Sequence, residues 1–353
     1  MLKTLQETET KLFLDKNLIS VGVIGCGYWG PNYIRIFNEL PNSCVKVCCD
    51  TDSSKLSLID KVYPSIKKTT NYLDVLTDPS VDAVCVSTPA TTHYKIAKDA
   101  LLHGKHVLIE KPLSLSVDEG RDLVETAKDE KRVLVVGHVY LYHPAIKWIK
   151  HFISSGEMGD IYYLYSTRTG LGPIRKDVNA MWDLAPHDIS IFLYLLDCMP
   201  RSVSAKGASY VQNGVEDVVF LTFEFPENIF CYTHTSWLDP YKVRRLTLVG
   251  SKKMIVFNDT DPFENLKVLD KGAFVKETHI SYEDFLLQVR TGDIHIPKLE
   301  SVEPLKSQCL HFLHCLEKGT MPLTNGEEAL KVIQVLEAAH KSLRNGGISV
   351  EIC

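Results

Sequence analysis

Over roughly the first 140 residues, short apolar runs alternate with stretches of helical period. Val21-Gly-Val-Ile is the first such run. Beyond it Tyr33, Ile36, Phe37 and Leu40 fall at i, i+3, i+4 and i+7, one face of a helix, and Pro31 suits its first turn. Val45-Lys-Val-Cys-Cys, Asp82-Ala-Val-Cys-Val-Ser, Val107-Leu-Ile and Val133-Leu-Val-Val are further short runs bounded by turn residues, the pattern of parallel strands buried on both faces. Between them Tyr94, Ala97 and Leu101 mark a helix that Gly104 can end. Ser116-x-x-Glu119 reads as a capping box ahead of Leu123, Val124 and Ala127. Repeated βα units of this kind predict an α/β fold with a doubly wound parallel sheet.

After about residue 142 the strands lengthen, at 161–168, 203–209, 217–225, 229–237, 244–249 and 253–257. Pro226-Glu-Asn and Asp270-Lys-Gly read as turns between consecutive strands, so a large open, mainly antiparallel sheet is expected. Helices are expected at 144–155, at 186–197 with Ile189, Phe192, Leu193 and Leu196 on one face, and twice near the C-terminus. The last should open at a Thr324-x-x-Glu327 capping box and end near Asn345-Gly346-Gly347. The expected organisation is an N-terminal extension (1–18), a doubly wound domain (19–142) and a second α/β domain (143–353). Phe220, Phe223, Phe225 and Trp237 could face another subunit across the open sheet, or be ordinary core.

Composition narrows the class: 353 residues, 45% hydrophobic and 24% charged, suffice for two packed domains and exclude a disordered or fibrous chain. A net charge of -5 gives no electrostatic case for nucleic acid or an anionic membrane as partner. The first 20 residues mix charged and polar types and read neither as a secretory signal nor as a membrane span. Of ten cysteines, Cys48, Cys49, Cys85 and Cys231 sit inside apolar runs, and no paired CxxC spacing is present. That suits buried thiols in a cytoplasmic protein, without a metal site.

The first apolar run leads into Gly25-x-Gly27-x-x-Gly30 and then into a helix. The first glycine permits a tight turn, the second lets the backbone approach a pyrophosphate, and the third lets helix and strand pack closely. Tyr28 and Trp29 fill the loop. Asp50 follows Gly30 by 20 residues, at the end of the second strand, where a carboxylate accepts hydrogen bonds from ribose hydroxyls and repels a 2′-phosphate. Thr51 and Asp52 come next, with no Arg or Lys immediately there, which favours NAD over NADP. Each signal alone has a plainer reading, a chance glycine pattern or a turn aspartate. Together they indicate a Rossmann nucleotide site.

Glu110-Lys111-Pro112 follows directly on Val107-Leu-Ile, at the carboxyl edge where such sheets bind ligands. Lys111 can donate a hydrogen bond to a hydroxyl and stabilise the alkoxide as hydride leaves. Pro112 stiffens that turn and is a place for a cis bond. In Trp182-Asp183-Leu-Ala-Pro-His187-Asp188, with Pro186 taken as first-turn residue of a helix, Asp183 and His187 are four apart and could face one cleft. His187 is the natural proton acceptor. The plain alternatives are an N-cap aspartate and a structural histidine. Thr88-Pro89-Ala-Thr-Thr-His93 alone reads as a strand-to-helix turn.

In order, GxGxxG at 25–30, the acid at 50, TPxxxH at 88–93, EKP at 110–112, GHVYLYHP at 137–144 and DxxxH at 183–187 resemble the Gfo/Idh/MocA oxidoreductases, across about residues 20–350. The resemblance implies a Rossmann domain before an α/β domain with an open sheet, a nicotinamide cofactor and a sugar or cyclitol substrate. It makes Lys111 and His187 the catalytic pair with Asp183 alongside, and adds Thr88, Pro89, His93, Glu110 and Lys111 to the cofactor site. It also implies a homodimer or homotetramer assembled through the open sheet. Two departures weaken transfer from inositol or glucose enzymes: many relatives carry DxGxH at the second motif, and Leu141 stands where Arg is frequent. APHD, Arg168, Arg175 and the run 236–253 resemble a branch that oxidises C3 of a UDP-N-acetylhexosamine, giving a 3-keto sugar for surface-polysaccharide precursors. Arg168, Arg175 and Arg245 could then serve the diphosphate, though each alone reads as a surface charge. An inositol or free-sugar dehydrogenase, an NADPH-dependent ketoreductase and a silent NAD-binding scaffold remain as alternatives.

Overall fold

In the computed structural model, residues 18–275 and 287–352 are described; the expected extension falls outside them except for Leu18. The chain divides into two compact units. One runs up to Gly137 and takes in Leu305–Glu328; the other spans His138–Pro304 and resumes at Ala329.

The first unit is built on a parallel sheet of β1 (Ile19–Ile24), β2 (Ser43–Cys49), β3 (Lys67–Thr69), β4 (Ala83–Val86), β5 (His106–Ile109) and β6 (Leu134–Val136). Its order, β3-β2-β1-β4-β5-β6, is the doubly wound one, with the reversal between β1 and β4. The helices are α1 (Gly30–Glu39), α2 (Ser53–Val62), α3 (Leu73–Leu76), α4 (His93–Leu102) and α5 (Val117–Asp129). The apolar stripe of α1 buries Tyr33, Ile36 and Phe37. Gly104, at φ 73°, follows α4 in the left-handed region, and Ser116 caps α5 by accepting the Glu119 N–H at 3.2 Å.

His106 on β5 is held neutral: its Nδ1 accepts the Val133 N–H at 3.0 Å, and burial, helped by Arg132, pulls its pKa from 6.5 to about 4. A base depressed on folding binds fewer protons than in the unfolded chain, so its stabilisation is lost as pH falls from 6.5 through about 4. His106→Asn keeps an acceptor that does not titrate. Urea midpoints measured across that window should fall less steeply for the variant than for the wild type.

The second unit follows with α6 (Pro144–Ser154), β7 (Ile161–Thr169), α7 (Ala180–Leu196), β8 (Ser202–Ala208), β9 (Val218–Glu224), β10 (Phe230–Ser236), β11 (Val243–Gly250), β12 (Met254–Asn258), β13 (Leu266–Val275) and β14 (Leu287–His295). After α8 (Pro304–Lys318), α9 (Gly326–Arg344) and β15 (Val350–Glu351) complete the chain. Among the described residues the sheet has nine strands, ordered β14-β13-β12-β11-β7-β10-β9-β8-β15. The β7–β10 pair is parallel and its other pairs are antiparallel.

Several expectations are corrected here. The helix drawn at 186–197 begins at Ala180, where the Asn179 side chain accepts the Trp182 N–H at 3.1 Å. Pro186 is therefore interior, and burial of Met181, Trp182, Ala185, Ile189 and Phe192 outweighs the ~3 kcal/mol an interior proline costs. Asp270-Lys-Gly is no turn: it runs inside β13, where the register against β14 shifts between Leu269 and Lys271. Asn325, rather than Thr324, caps α9, accepting the Glu328 N–H at 3.0 Å. Nor does the chain cross between its units once, near 142: residues 305–328 return to the first. There Gln308 approaches the Tyr33 hydroxyl at 3.5 Å, Lys306 pairs with Glu39 at 3.2 Å, and the Thr324 carbonyl accepts the Val136 N–H at 2.8 Å.

The open sheet face also differs in content. Phe223, Phe225 and Trp237 are buried, Phe223 against Phe192 of α7. Alternation along the strands puts Tyr163, Tyr165, Phe220, Phe230, Tyr232 and His234 on the opposite side. Tyr165 stacks on Tyr232 at 5.0 Å and Phe220 on His234 at 4.3 Å. Among the described residues no helix is long and apolar enough to cross a membrane, and the nine described cysteines are all free thiols.

Candidate active site

In the first unit the glycines have steric reasons. Gly25 has φ 97°, and a Cβ there would sit 2.6 Å from the Ser87 carbonyl oxygen; one at Gly30 would lie 2.0 Å from the Gly25 oxygen. A Cβ at Gly27 would meet nothing within 4 Å. Its bare backbone fronts open space, as a pyrophosphate approach requires. Trp29 gives α1 no side-chain cap, which leaves the first-turn amides suited to an anion. Tyr28 and Trp29 are exposed and meet edge to face at 5.3 Å.

Asp50 is buried at the end of β2. Its Oδ2 accepts the Cys26 N–H at 2.8 Å and its Oδ1 the Asp52 N–H at 2.9 Å. Lys55 Nζ lies 3.5 Å from Oδ1. A cation thus stands beside Asp50 after all, because α2 starts at Ser53 and its first turn folds Lys55 back toward the strand end.

The turns after β4 and β5 are joined from below. His93, 1% exposed, approaches the Pro112 carbonyl through Nδ1 at 2.7 Å and the Thr88 carbonyl through Nε2 at 3.0 Å. Glu110 is buried too, accepting the Tyr33 hydroxyl at 2.6 Å and the Lys111 N–H at 3.2 Å. Burial pushes its carboxyl up, against the Tyr33 bond and the nearby Lys111. Lys111 is partly exposed, and the Lys111–Pro112 bond is cis.

In the second unit Asp183 and His187 occupy successive turns of α7. Asp183 accepts the Trp237 Nε1–H at 3.1 Å through one oxygen and meets Arg175 Nη1 at 3.3 Å through the other. Arg175 is also gripped by Asp177, at 2.9 and 2.6 Å. The His187 ring meets Tyr140 edge-on at 5.1 Å. Arg168 lies over the Tyr140 ring at 4.4 Å and forms a bidentate pair with Asp188, at 2.8 and 3.1 Å. Burial works against that charge, and Asp188 more than restores it. The Tyr140 hydroxyl donates to Asp259 at 2.8 Å, and Arg244 pairs with Asp259 at 3.4 Å. Arg245, exposed and opposite Thr167, points to the aromatic face, away from α7.

Residues 19–138 match the family described as "Oxidoreductase family, NAD-binding Rossmann fold", and residues 146–256 match the "GFO/IDH/MocA C-terminal domain". The scyllo-inositol 2-dehydrogenase (NAD(+)) of Bacillus subtilis is 30% identical over 93% of this chain and 95% of its own. The chain belongs to the Gfo/Idh/MocA oxidoreductase family. The UDP-N-acetylglucosamine 3-dehydrogenase of Acidithiobacillus ferrooxidans is 30% identical over 54% of this chain and 58% of its own. The WlbA dehydrogenase of Bordetella pertussis, solved with NADH and UDP-GlcNAcA, shares the fold with a TM-score of 0.78 at 18% identity, over 96% of this chain and 99% of that one.

In this Gfo/Idh/MocA oxidoreductase the residues fit NAD: the open approach at Gly27, uncapped amides at α1 and an acid at the end of β2 answer its pyrophosphate and ribose. The structure brings Asp183 together with Arg175, and His187 with Tyr140; it does not bring Arg245 to them. The GHVYLYHP motif does not single out Tyr140, and no motif marks Trp237 as the partner of Asp183, or Arg244 and Asp259 as part of the Tyr140 cluster. Alternation along β11 could have signalled Arg244, which shares a side with buried Leu246 and Leu248.

Proposed function

We propose that this chain is an NAD-dependent dehydrogenase oxidising a secondary hydroxyl of a sugar nucleotide, at C3 of a UDP-N-acetylhexosamine, within surface-polysaccharide precursor synthesis in the cytoplasm. The observation that carries it is the Arg175–Asp183 pair one turn before His187. Arg175 is a third exposed, and a diphosphate could displace Asp177 from its Nε–Nη2 edge, an exchange for which a neutral cyclitol has no charge. The similarity to a UDP-N-acetylglucosamine 3-dehydrogenase supports the same substrate class.

NAD held at the glycine loop and Asp50 would supply the hydride acceptor. By the roles that the family resemblance gives them, His187 is the base for the hydroxyl proton and Lys111 a hydrogen-bond donor to the substrate. Asp183, steadied by Trp237 and Arg175, orients the sugar. Arg168 acts from the interior, since it is buried and Asp188 already engages its Nε and Nη2. Assembly is through the aromatic face, as a dimer or tetramer.

A panel of UDP-sugars, inositols and free hexoses, followed by NADH absorbance with a ketone trap present, tests the reading. Turnover confined to UDP-N-acetylhexosamines is expected. Turnover confined to inositols would replace it with the function that the Bacillus subtilis relative's name describes.

A further inference from the structure

His93 occupies the motif that the resemblance assigns to the cofactor, yet its ring is buried and both nitrogens are directed at backbone carbonyls. A carbonyl oxygen only accepts. A neutral imidazole has one N–H and one bare lone pair. Whichever tautomer is chosen, it would set a lone pair against an oxygen at 2.7 or 3.0 Å. A ring with protons on both nitrogens satisfies both contacts, and such charge-assisted bonds are the short, strong ones.

The two acceptors lie at the carboxyl edge of the parallel sheet. Thr88 opens the turn after β4. Pro112 closes the turn after β5 that carries Lys111. α4 packs on α5, β5 and β4. Ionisable groups on those elements include Cys85 on β4, His106 and Glu110 along β5 and its end, Asp122 on α5, and Tyr94 and Lys98 on α4 itself. His106 is taken by the Val133 amide and Asp122 by Tyr94 and Lys98. Glu110 shares a turn with Pro112, so the carboxyl and the ring both hold that turn, one at the Lys111 amide and the other at the Pro112 carbonyl.

We propose that His93 is a positioning residue: a doubly protonated imidazole that pins the Lys111 turn to the turn after β4. It acts through Lys111 and does not itself touch the cofactor. Only the kinetic consequence rests on the role proposed above for Lys111; the protonation state and the tether do not.

The test has two independent parts. Histidine-selective 15N labelling of the whole chain, with His93 assigned by its absence from the spectrum of His93→Gln, reads the protonation state directly. Imidazolium shifts at both ring nitrogens are expected, persisting at pH values where a free histidine is neutral. One protonated and one bare nitrogen would overturn the proposal. In the second part, His93→Ala should lower kcat about 100-fold, the scale of a misplaced group in a reacting pair, while NAD affinity measured by titration calorimetry stays at the wild-type value. His93→Gln, which keeps one donor, should fall between the two and serves if the alanine variant does not fold. Equal losses of kcat and NAD affinity would make His93 a cofactor contact and sink the tether. The NMR result stands whichever carbohydrate proves to be the substrate.

Discussion

Lys111→Met should bind NAD normally and oxidise its sugar about 100- to 10,000-fold more slowly, the range for removing a positioned proton-handling group. The side chain leaves a turn whose backbone is fixed without it: Glu110 holds the Lys111 amide, and His93 meets the Pro112 carbonyl. Methionine preserves the length of the stem and deletes the donor. The loss should therefore fall on kcat, with NAD affinity as the control that the fold survives. His187→Asn should lose turnover comparably and flatten the rise of kcat/KM with pH that a general base produces. Retained turnover with an unchanged pH profile in both variants would remove the catalytic assignment.

Asp50→Ser should reverse the choice of cofactor. In the wild type the Asp50 carboxylate neutralises Lys55 at 3.5 Å and repels a 2′-phosphate. Serine removes that charge and frees Lys55, on the first turn of α2, for a phosphate. Two hydroxyl-to-carboxylate bonds lost and one ion pair gained amount to about 3–4 kcal/mol of discrimination, or roughly 100- to 1,000-fold in the ratio of kcat/KM for NAD to that for NADP. The ratio is the proper readout, because Asp50 also accepts the Cys26 and Asp52 amides and its loss loosens the loop for both cofactors. Adding Lys55→Ala should return part of the NADP gain. An unchanged ratio in Asp50→Ser would show that the carboxylate does not select the cofactor.

Much of the first unit was legible because local signals and burial agree there. The apolar runs at 21–24, 45–49, 83–86 and 107–109 became strands, and Pro31 and Gly104 bound their helices as the residue types require. What escaped was too polar or too short to carry a pattern: β3 is Lys67-Lys68-Thr69, and α2 buries only Leu56 and Ile59. In the second unit a strong local signal misled. Pro186 mimics a helix start, but Asn179 supplies the cap and the packed face of α7 extends the helix back by two turns. The candidate residues were identifiable as types, while their pairings were not. Nothing local in the sequence tells that Trp237 reaches Asp183 across 54 positions, or that Tyr140 meets Asp259 across 119.

The return of residues 305–328 to the first unit has a consequence for how the chain is made. A ribosome that has emitted the glycine loop, Asp50 and the Lys111 turn has not yet supplied α8, whose Phe312 and Leu313 are fully buried and whose Gln308 approaches Tyr33. The nucleotide-binding unit must wait, with part of its apolar surface uncovered, while the whole intervening sheet is synthesised. Excising residues up to Gly137 as a minimal NAD-binding fragment would reproduce that waiting state permanently. A usable fragment must carry the 305–328 segment spliced to its end.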